Sequence, residues 1–388
     1  MNRTRTSHGR RASSPCLPVV LGAVCLLIPV LTSIDTVQAA ELESGNAPSQ
    51  NEDSLSVLDG QEADYGGWSL NIDNDLFSGG DLDRDYTGGV AIAVTGARTR
   101  EWPVSLDKTR AALARLSRFD RLYSDTAVLS RHSIEFGFTL FTPNDITVAE
   151  PIKDDHPYAS LFFIASAAQH VVPERKLSYQ TVLTVGALGL PLADTVQSGI
   201  HRAIGSEQPQ GWDNQISHGG EPTARYSVGL QKTLIEGGGP GLSTQFSVNS
   251  EATVGFTTDA SVGFGIRWGR LERPWYTFNP HPAEYISVGT PPEASDRTTG
   301  RREIYLYAGA NIKYRLYNAI LQGQFRDSRV SFDHDQLNPV ILEGWAGFLA
   351  EVAANYRLGM FLRARTAELD KAESRNPVWG GILISRSL

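Results

Sequence analysis

The chain has 388 residues, 41% of them hydrophobic, and a formal net charge of −8. Because binding a phosphate backbone requires a basic surface, this acidic balance excludes nucleic acid from the expected partners. Both cysteines, Cys16 and Cys25, lie near the N-terminus, so the remainder of the chain has neither a disulfide nor a cysteine metal ligand.

The N-terminus has the pattern of an export signal. Four arginines between residues 3 and 11 precede an apolar stretch from Leu17 to Leu31, and residues 37–40 offer small side chains for cleavage. Pro18 and Pro29 interrupt the apolar stretch, which favours a cleaved signal over a retained membrane helix. We therefore predict a signal peptide over residues 1–39. Its four arginines and one aspartate would leave a mature chain with a net charge of −11.

The mature chain is predicted to form one β-rich domain after a short leader. Residues 40–64 are polar and without periodicity, which indicates a flexible N-terminus. From residue 65 to residue 388, about a dozen segments alternate apolar and polar side chains, as in Trp68–Asp73 and Ser133–Leu140. Such segments after an export signal predict an antiparallel transmembrane β-barrel of about twelve strands, and a soluble secreted β-sandwich or propeller is the alternative.

Three segments of the mature chain depart from strand patterning. Arg100–Tyr123 has helical spacing and a basic face, which predicts a loop helix near the membrane rim. Pro191–Ile204 predicts a second short helix that proline opens. Gly269–Arg301 contains several prolines and is expected to be a long surface loop. We expect the short helices to lie in extracellular loops, since long loops are usual at one end of such barrels.

Oxygen donors are concentrated where the first strand ends. The segment Trp68–Gly89 contains the pair Asn74–Asp75, a turn rich in glycine and aspartate at residues 79–85, and then Tyr86-Thr87-Gly88-Gly89. Calcium takes six to eight such ligands, so the turn is a candidate calcium site, although a solvated hairpin turn is the alternative. The aspartates at 81, 83 and 85 do not form an EF-hand, because neither its central glycine nor its closing glutamate follows.

Two further blocks bring candidate site residues. One combines residues 141–145 (FTPND) with residues 154–160 (DDHPYAS). The other, residues 184–215, contains Gln197 and His201, which are four residues apart and share a helix face. Glu207 and the segment 211–215 (GWDNQ) follow that helix.

Together the three blocks resemble the signatures of the outer-membrane lipid A 3′-O-deacylases (LpxR-like). Those signatures read N-D … Y-T-N-G, then Y-T-P … D-R-P-Y-A-G, then G-x-x-G-P … Q-x-x-x-H … G-W-x-x-Q. The resemblance covers about the first half of the mature chain. The chain departs from the family pattern at Gly88, His156, Ser160 and Leu190. The resemblance implies an outer-membrane enzyme that hydrolyses the ester of the 3′-linked acyloxyacyl chain of lipid A with the help of calcium.

The resemblance and the residues next to its motifs give seven candidate site residues: His201, Asn74, Asp75, Thr87, Glu207, Gln197 and Lys153. The family is described as using a mechanism like that of phospholipase A2. His201 would then act as the general base on water, a task that suits histidine because its side chain titrates near neutral pH. Asp75, assisted by Asn74 and Glu207, would hold the calcium ion that stabilises the oxyanion.

Two of the seven residues have less defined roles. The hydroxyl of Thr87 could donate a hydrogen bond, and Lys153 could stabilise an oxyanion or simply be an exposed lysine at the rim. A serine acyl-enzyme is not supported, since the sequence lacks a G-x-S-x-G motif.

The expected surroundings follow from the same resemblance. We expect a monomer in the outer membrane of a Gram-negative bacterium, folded by the barrel assembly machinery and in contact with lipopolysaccharide and other outer-membrane lipids. The alternatives are a non-catalytic barrel, acting as a passive pore or a binding protein, and a soluble secreted binding protein.

Overall fold

A computed structural model describes residues 62–78, 85–123, 129–239, 241–279, 301–353, 355–371 and 374–388. The predicted signal peptide, most of the predicted flexible leader and the aspartates at 81 and 83 lie outside these residues.

The described chain forms a closed antiparallel β-barrel, which confirms the predicted fold and strand number. The twelve strands are β1 (Gly67–Asn74), β2 (Asp85–Thr95), β3 (Leu129–Thr142), β4 (Ala159–Val172), β5 (Leu177–Leu188), β6 (Glu221–Gly239), β7 (Leu242–Gly255), β8 (Thr257–Arg270), β9 (Ile304–Asn318), β10 (Val340–Ala353), β11 (Tyr356–Arg365) and β12 (Val378–Ser387). Each strand pairs with its sequence neighbour, and β1 closes the barrel by pairing with β12. Closure leaves no unpaired sheet edge.

The alternation of side chains separates an apolar outer wall from a polar lumen. In β1, Ile72 faces outward and is in register with Val90 of β2 and Ile382 of β12. The next residue on either side along each strand points inward, as do the buried arginines and glutamates of the later strands, such as Arg363 and Glu343. This arrangement is the one expected of a barrel surrounded by lipid.

The loops at the two ends of the barrel differ. The start of β1 and the end of β12 lie at one end of the barrel, called here the termini end, and the loops β1–β2, β3–β4, β5–β6, β7–β8, β9–β10 and β11–β12 lie at the other, called the site end. The helices are α1 (Asp107–Leu116) at the termini end and α2 (Leu192–Ile204) and α3 (Ala319–Gln322) at the site end. In the described part of the chain, every helix is too short or too polar to cross a membrane.

The segment Leu271–Asn279 folds into the lumen at the termini end. Inward-facing Gln169 and Gln231 donate from Nε2 to the carbonyl oxygens of Tyr276 and Phe278, at 3.0 and 3.1 Å. The prediction of a surface loop between β8 and β9 is therefore wrong for Leu271–Asn279. This segment plugs the lumen, because side chains from the barrel wall donate hydrogen bonds to its backbone carbonyl oxygens. The following residues, 280–300, lie outside the described chain.

A second in-folded segment occupies the lumen at the site end. Ile320 of α3 and Val330 are buried in one apolar cluster with the inward-facing Phe141 and Trp379. Glu221, at the start of β6, accepts a hydrogen bond from the backbone N–H of Arg326 at 3.0 Å. Apolar packing and hydrogen bonds to the wall thus hold the β9–β10 loop inside the barrel mouth.

At the termini end, buried ion pairs cross-link the lumen. The Glu303 carboxylate lies 3.4 Å from Arg273, 3.7 Å from Arg267 and 3.8 Å from Arg357, and all four side chains are at most 5% exposed. A charge buried this deeply is tolerated only when it is paired. Arg267 lies in β8, Arg357 in β11 and Arg273 in the plug, and Glu303 immediately precedes β9, so the network ties the wall to the plug.

Candidate active site

The first half of the candidate site is the end of β1 on the outer wall. Asn74 donates from Nδ2 to the carbonyl oxygen of Thr87 at 2.8 Å, and its Oδ1 accepts from the backbone N–H of Leu76 at 2.8 Å. One side chain therefore joins β1 to β2 and caps the following 3₁₀ turn, Asp75–Ser78. Asp75, the first residue of that turn, is buried.

Thr87 lies at an irregularity of β2 that places it beside β3. The strand register shifts between Tyr86 and Gly88. The buried hydroxyl of Thr87 forms a 2.6 Å hydrogen bond with the hydroxyl of Thr142. A Cβ at Gly88 would lie 2.7 Å from the carbonyl oxygen of Asp73 and 3.1 Å from Asn74 Nδ2. The departure of Gly88 from the family pattern therefore coincides with a close approach of β1 and β2 that leaves no room for a side chain.

The second half is the helix α2 with the turn that follows it. Pro191 precedes the helix with a helical φ of −60°, and Gly205 ends it in the left-handed conformation with φ 73°. Gln197 and His201 share one face and are 2% and 3% exposed. The Gln197 Oε1 accepts from Trp212 Nε1 at 2.8 Å. The Gln197 Nε2 is also buried, and it has no hydrogen-bond partner among the described residues.

The orientation of His201 follows from its contact with the chain after the helix. His201 Nδ1 is hydrogen-bonded to the backbone carbonyl oxygen of Glu207. Because a carbonyl oxygen only accepts, Nδ1 carries the hydrogen, and in a neutral imidazole Nε2 is then the nitrogen that accepts protons. The contact thus fixes both the ring orientation and the tautomer that a general base requires.

Aromatic packing supports the helix half from the β3–β4 loop. The rings of Tyr158 and Trp212 are 4.8 Å apart, and the Tyr158 hydroxyl donates to the carbonyl oxygen of Ile146 at 2.8 Å. Burial raises the pKa of Tyr158, so the phenol stays protonated as this donor. Burial likewise lowers the pKa of His156, whose ring stacks on Phe141.

The two halves meet on the outer wall. Ala193 and Val196 of α2 belong to one apolar cluster with the outward-facing Leu140. Leu140 is in register with Gly88, and Gly88 with Asn74. Neighbouring strands are about 4.8 Å apart, so roughly 10 Å separates Asn74 from the strand position under the helix. The structure therefore places α2, which carries Gln197 and His201, over β3, two strands from the end of β1 that carries Asn74 and Asp75.

Two predicted site residues are placed differently from the rest. Glu207 is exposed, and its backbone carbonyl, rather than its carboxylate, contacts His201. Lys153 is exposed on the β3–β4 loop, where its carbonyl oxygen accepts from Lys371 Nζ at 3.1 Å. Within the described ranges, no group of three or more His, Cys, Asp or Glu side chains is arranged to hold a metal ion.

An ion-pair bridge between three chain segments was not predicted from the sequence. Arg375, in the β11–β12 loop, bridges Asp85 at 3.2 Å and Asp155 at 2.6 Å. Asp85 begins β2, and Asp155 precedes the Tyr158 segment, so the arginine links the wall half to the loop that supports the helix half. These charges line a cleft at the barrel mouth that His201 does not line. No sequence signal identifies this bridge, because its members are up to 290 residues apart.

Comparison with known proteins gives the family. A family model described as outer membrane protein LpxR matches residues 26–388. The chain belongs to the LpxR family of outer-membrane proteins. The match confirms the resemblance drawn from the three sequence blocks and the predicted location in the outer membrane of a Gram-negative bacterium. A search of curated proteins finds no match.

Solved structures agree with the fold of this LpxR family member. LpxR from Salmonella typhimurium superposes with a TM-score of 0.63 at 17% identity, and the match covers 83% of this chain and 100% of that one. Weaker matches include the β-domain of the Bordetella autotransporter BrkA (TM-score 0.40, 10% identity, 84% and 100% covered). Another is the COG4313 outer membrane channel from Pseudomonas putida F1 (TM-score 0.36, 9% identity, 84% and 96% covered).

Proposed function

We propose that this LpxR family member is a lipid A 3′-O-deacylase that hydrolyses the ester of the 3′-linked acyloxyacyl chain of lipopolysaccharide. The observation that carries the proposal is the buried pair of Gln197 and His201 on α2, a helix that packs on the lipid-facing wall two strands from Asn74. A lipid in the outer leaflet would present its ester bonds to this face of the barrel, whereas a soluble substrate would not need to approach it.

His201 is the general base in this proposal. The Glu207 carbonyl oxygen accepts from Nδ1–H, so in the neutral ring Nε2 is the basic nitrogen that takes the proton from the water that attacks the ester carbonyl. His201 is buried, which keeps bulk water away from the imidazole. As the tetrahedral intermediate collapses, the same Nε2 can return the proton to the departing 3′-oxygen.

Gln197 and the end of β1 would stabilise the oxyanion. The Gln197 Nε2 is a buried donor with no partner in the described chain, so an oxygen of the substrate could satisfy it. Asp75 and Asn74 present only oxygen ligands at the strand end, a donor type that fits calcium. A bound calcium ion would polarise the ester carbonyl.

The remaining predicted residues have supporting roles. Glu207 could reach such an ion from its exposed position, and Thr87, bonded to Thr142, keeps β2 beside β3 under the site. Lys153, exposed on the neighbouring loop, could contact an anionic group of the lipid headgroup. A monomer would then be sufficient for activity, since all of these residues come from one chain.

The filled lumen supports the enzyme over the passive pore. The plug at Leu271–Asn279, the ion pairs around Glu303 and the packed α3 all occupy the path that an ion would take.

Purified protein in detergent micelles with lipid A tests the proposal. Mass spectrometry should show lipid A that has lost the 3′-acyloxyacyl group and carries a free 3′-hydroxyl, together with the released acyloxyacyl fatty acid. Unchanged lipid A, together with conductance of the same protein in a planar bilayer, would favour the pore.

A further inference from the structure

The helix α1 packs against the outside of the barrel wall near the termini end. The backbone N–H of Leu106 donates to Ser166 Oγ at 3.0 Å, and Arg110 donates to Thr181 Oγ1. Ser166 and Thr181 face outward, because they alternate with the lumen-facing residues of β4 and β5. The helix therefore occupies space on the lipid-facing surface. The sequence predicted this helix near the membrane rim but placed all the short helices in extracellular loops, whereas α1 lies at the opposite end of the barrel from α2 and α3.

Aromatic contacts hold both flanks of the helix to the same wall. The rings of Trp102 and Phe136 stack at 6.4 Å, and Tyr123 stacks on His170 at 4.2 Å. Phe119 is buried and packs edge-on against Tyr179. The segment Ala97–Tyr123, called here the wall helix segment, is thus fixed along its whole length.

The outer surface of the wall helix segment is strongly basic. The segment contains seven basic and three acidic residues, a net charge of +4, whereas the rest of the mature chain would carry −15. Arg110 is buried and paired with Asp107 at 2.7 Å. The other six basic residues are exposed, against one exposed acid, Glu101. The six are Arg98, Arg100, Lys108, Arg115, Arg118 and Arg121.

Apolar side chains are interleaved with these cations. Leu116, at the end of α1, is 70% exposed, and Val104 before the helix is 45% exposed. Lys108, Arg115 and Leu116 lie on one exposed face of the helix, since they are spaced by seven and eight residues. Within the described chain, neither Lys108 nor Arg115 forms an ion pair. A helix with exposed leucine and unpaired cations fits the boundary between lipid tails and anionic headgroups.

We propose that the wall helix segment binds anionic phospholipid headgroups in the membrane leaflet at the termini end. Lys108, Arg115 and Arg118 would contact the phosphates, while Leu116 and Val104 would lie against the acyl chains. The site of the proposed deacylase lies at the opposite end of the barrel, so this binding does not depend on that activity. Charge complementarity selects the occupant, because the segment is a basic island on an acidic protein.

Lipid retention by the intact protein tests the proposal. Detergent-solubilised protein is incubated with equal amounts of phosphatidylglycerol and phosphatidylethanolamine, and the bound lipids are counted by native mass spectrometry. The triple variant Lys108→Gln/Arg115→Gln/Arg118→Gln is compared with a matched control, Arg175→Gln/Arg302→Gln/Arg386→Gln. The control removes the same charge from exposed positions at the same end of the barrel. Heat-modifiable migration in gels checks that each variant is folded.

Wild type and control should bind more phosphatidylglycerol than phosphatidylethanolamine. In the helix variant, the ratio of the two bound lipids should fall at least about tenfold. The preference of the wild type should also weaken at high salt. An equal loss in the control would show that net charge alone is responsible and would overturn the proposal. Equal binding of the two lipids by the wild type would also overturn the proposal and would favour a protein partner for the wall helix segment.

Discussion

The outer wall at the site end and the lumen both bury polar side chains, but the two regions use them differently. In the lumen, Glu303 is surrounded by arginines, so each charge neutralises another. On the wall, Gln197 and His201 are buried among neutral hydrogen-bond partners, and one donor of Gln197 has no partner in the described chain. Groups that satisfy each other stabilise a fold, whereas buried groups with capacity left over are suited to a substrate.

The first prediction removes one charge from the lumen. Glu303→Gln should destabilise the barrel by about 3–5 kcal/mol, because it leaves the surrounding arginines without their carboxylate. The midpoint of urea unfolding in detergent gives this loss. The exposed pair of Glu236 and Lys176, 3.1 Å apart, supplies the control, and Glu236→Gln should cost at most about 1 kcal/mol. Deacylation per folded molecule should be unchanged in both variants. A Glu303→Gln protein that is stable but inactive would place chemistry in the lumen.

The second prediction tests the proposed calcium ion at the end of β1. A calcium chelator, or Asp75→Ala, should lower the deacylation rate by roughly 100- to 1,000-fold, by analogy with the loss of one oxyanion donor. Added calcium should restore the wild type, and zinc should not replace it well, because His201 offers the only nitrogen ligand at the proposed site. Asp213→Ala, an exposed aspartate close to the helix half, is the matched control and should keep its rate. Full activity in chelator would rule out the calcium mechanism.

The third prediction removes the hydrogen bond that Trp212 donates to Gln197 and keeps Gln197 itself. Trp212→Phe preserves an aromatic ring beside Tyr158 but deletes the donor to Gln197 Oε1. Loss of one neutral hydrogen bond costs about 1 kcal/mol, so kcat should fall roughly fivefold with unchanged unfolding of the barrel. Steady-state kinetics on micellar lipid A measures the effect. An unaltered kcat would show that Gln197 does not need this partner.

The smallest effect concerns the pH dependence of stability. Burial lowers the pKa of His156 below its ordinary value of 6.5, so the unfolded chain takes up this proton more readily than the folded one. The contribution of the neutral ring is therefore present above pH 6.5 and is lost as the pH falls below it. His156→Phe, which can keep the stacking on Phe141, should flatten the fall in unfolding midpoint between pH 7 and pH 5. An identical slope in the variant would show that other groups set it.

The sequence predicted the wall better than the lumen, for a physical reason. Period-two alternation is visible within ten residues, and Gln197 and His201 share a face because of their spacing alone. Ion pairs such as Arg315 with Asp259 and Glu368 join residues more than fifty positions apart and leave no local pattern. The contact of His201 with Glu207 was also hidden, since it uses a backbone carbonyl that side-chain identity does not reveal.

Lipid A from cells that express the chain, measured beside lipid A from cells that express the His201→Ala variant, tests the central claim most directly. The account predicts that wild-type cells contain lipid A without the 3′-acyloxyacyl group and that the variant, folded and heat-modifiable in the same membranes, leaves lipid A intact. Removal of the base should lower the rate by roughly 100- to 10,000-fold. Loss of the 3′-acyloxyacyl group at a near wild-type level in the variant would contradict the account.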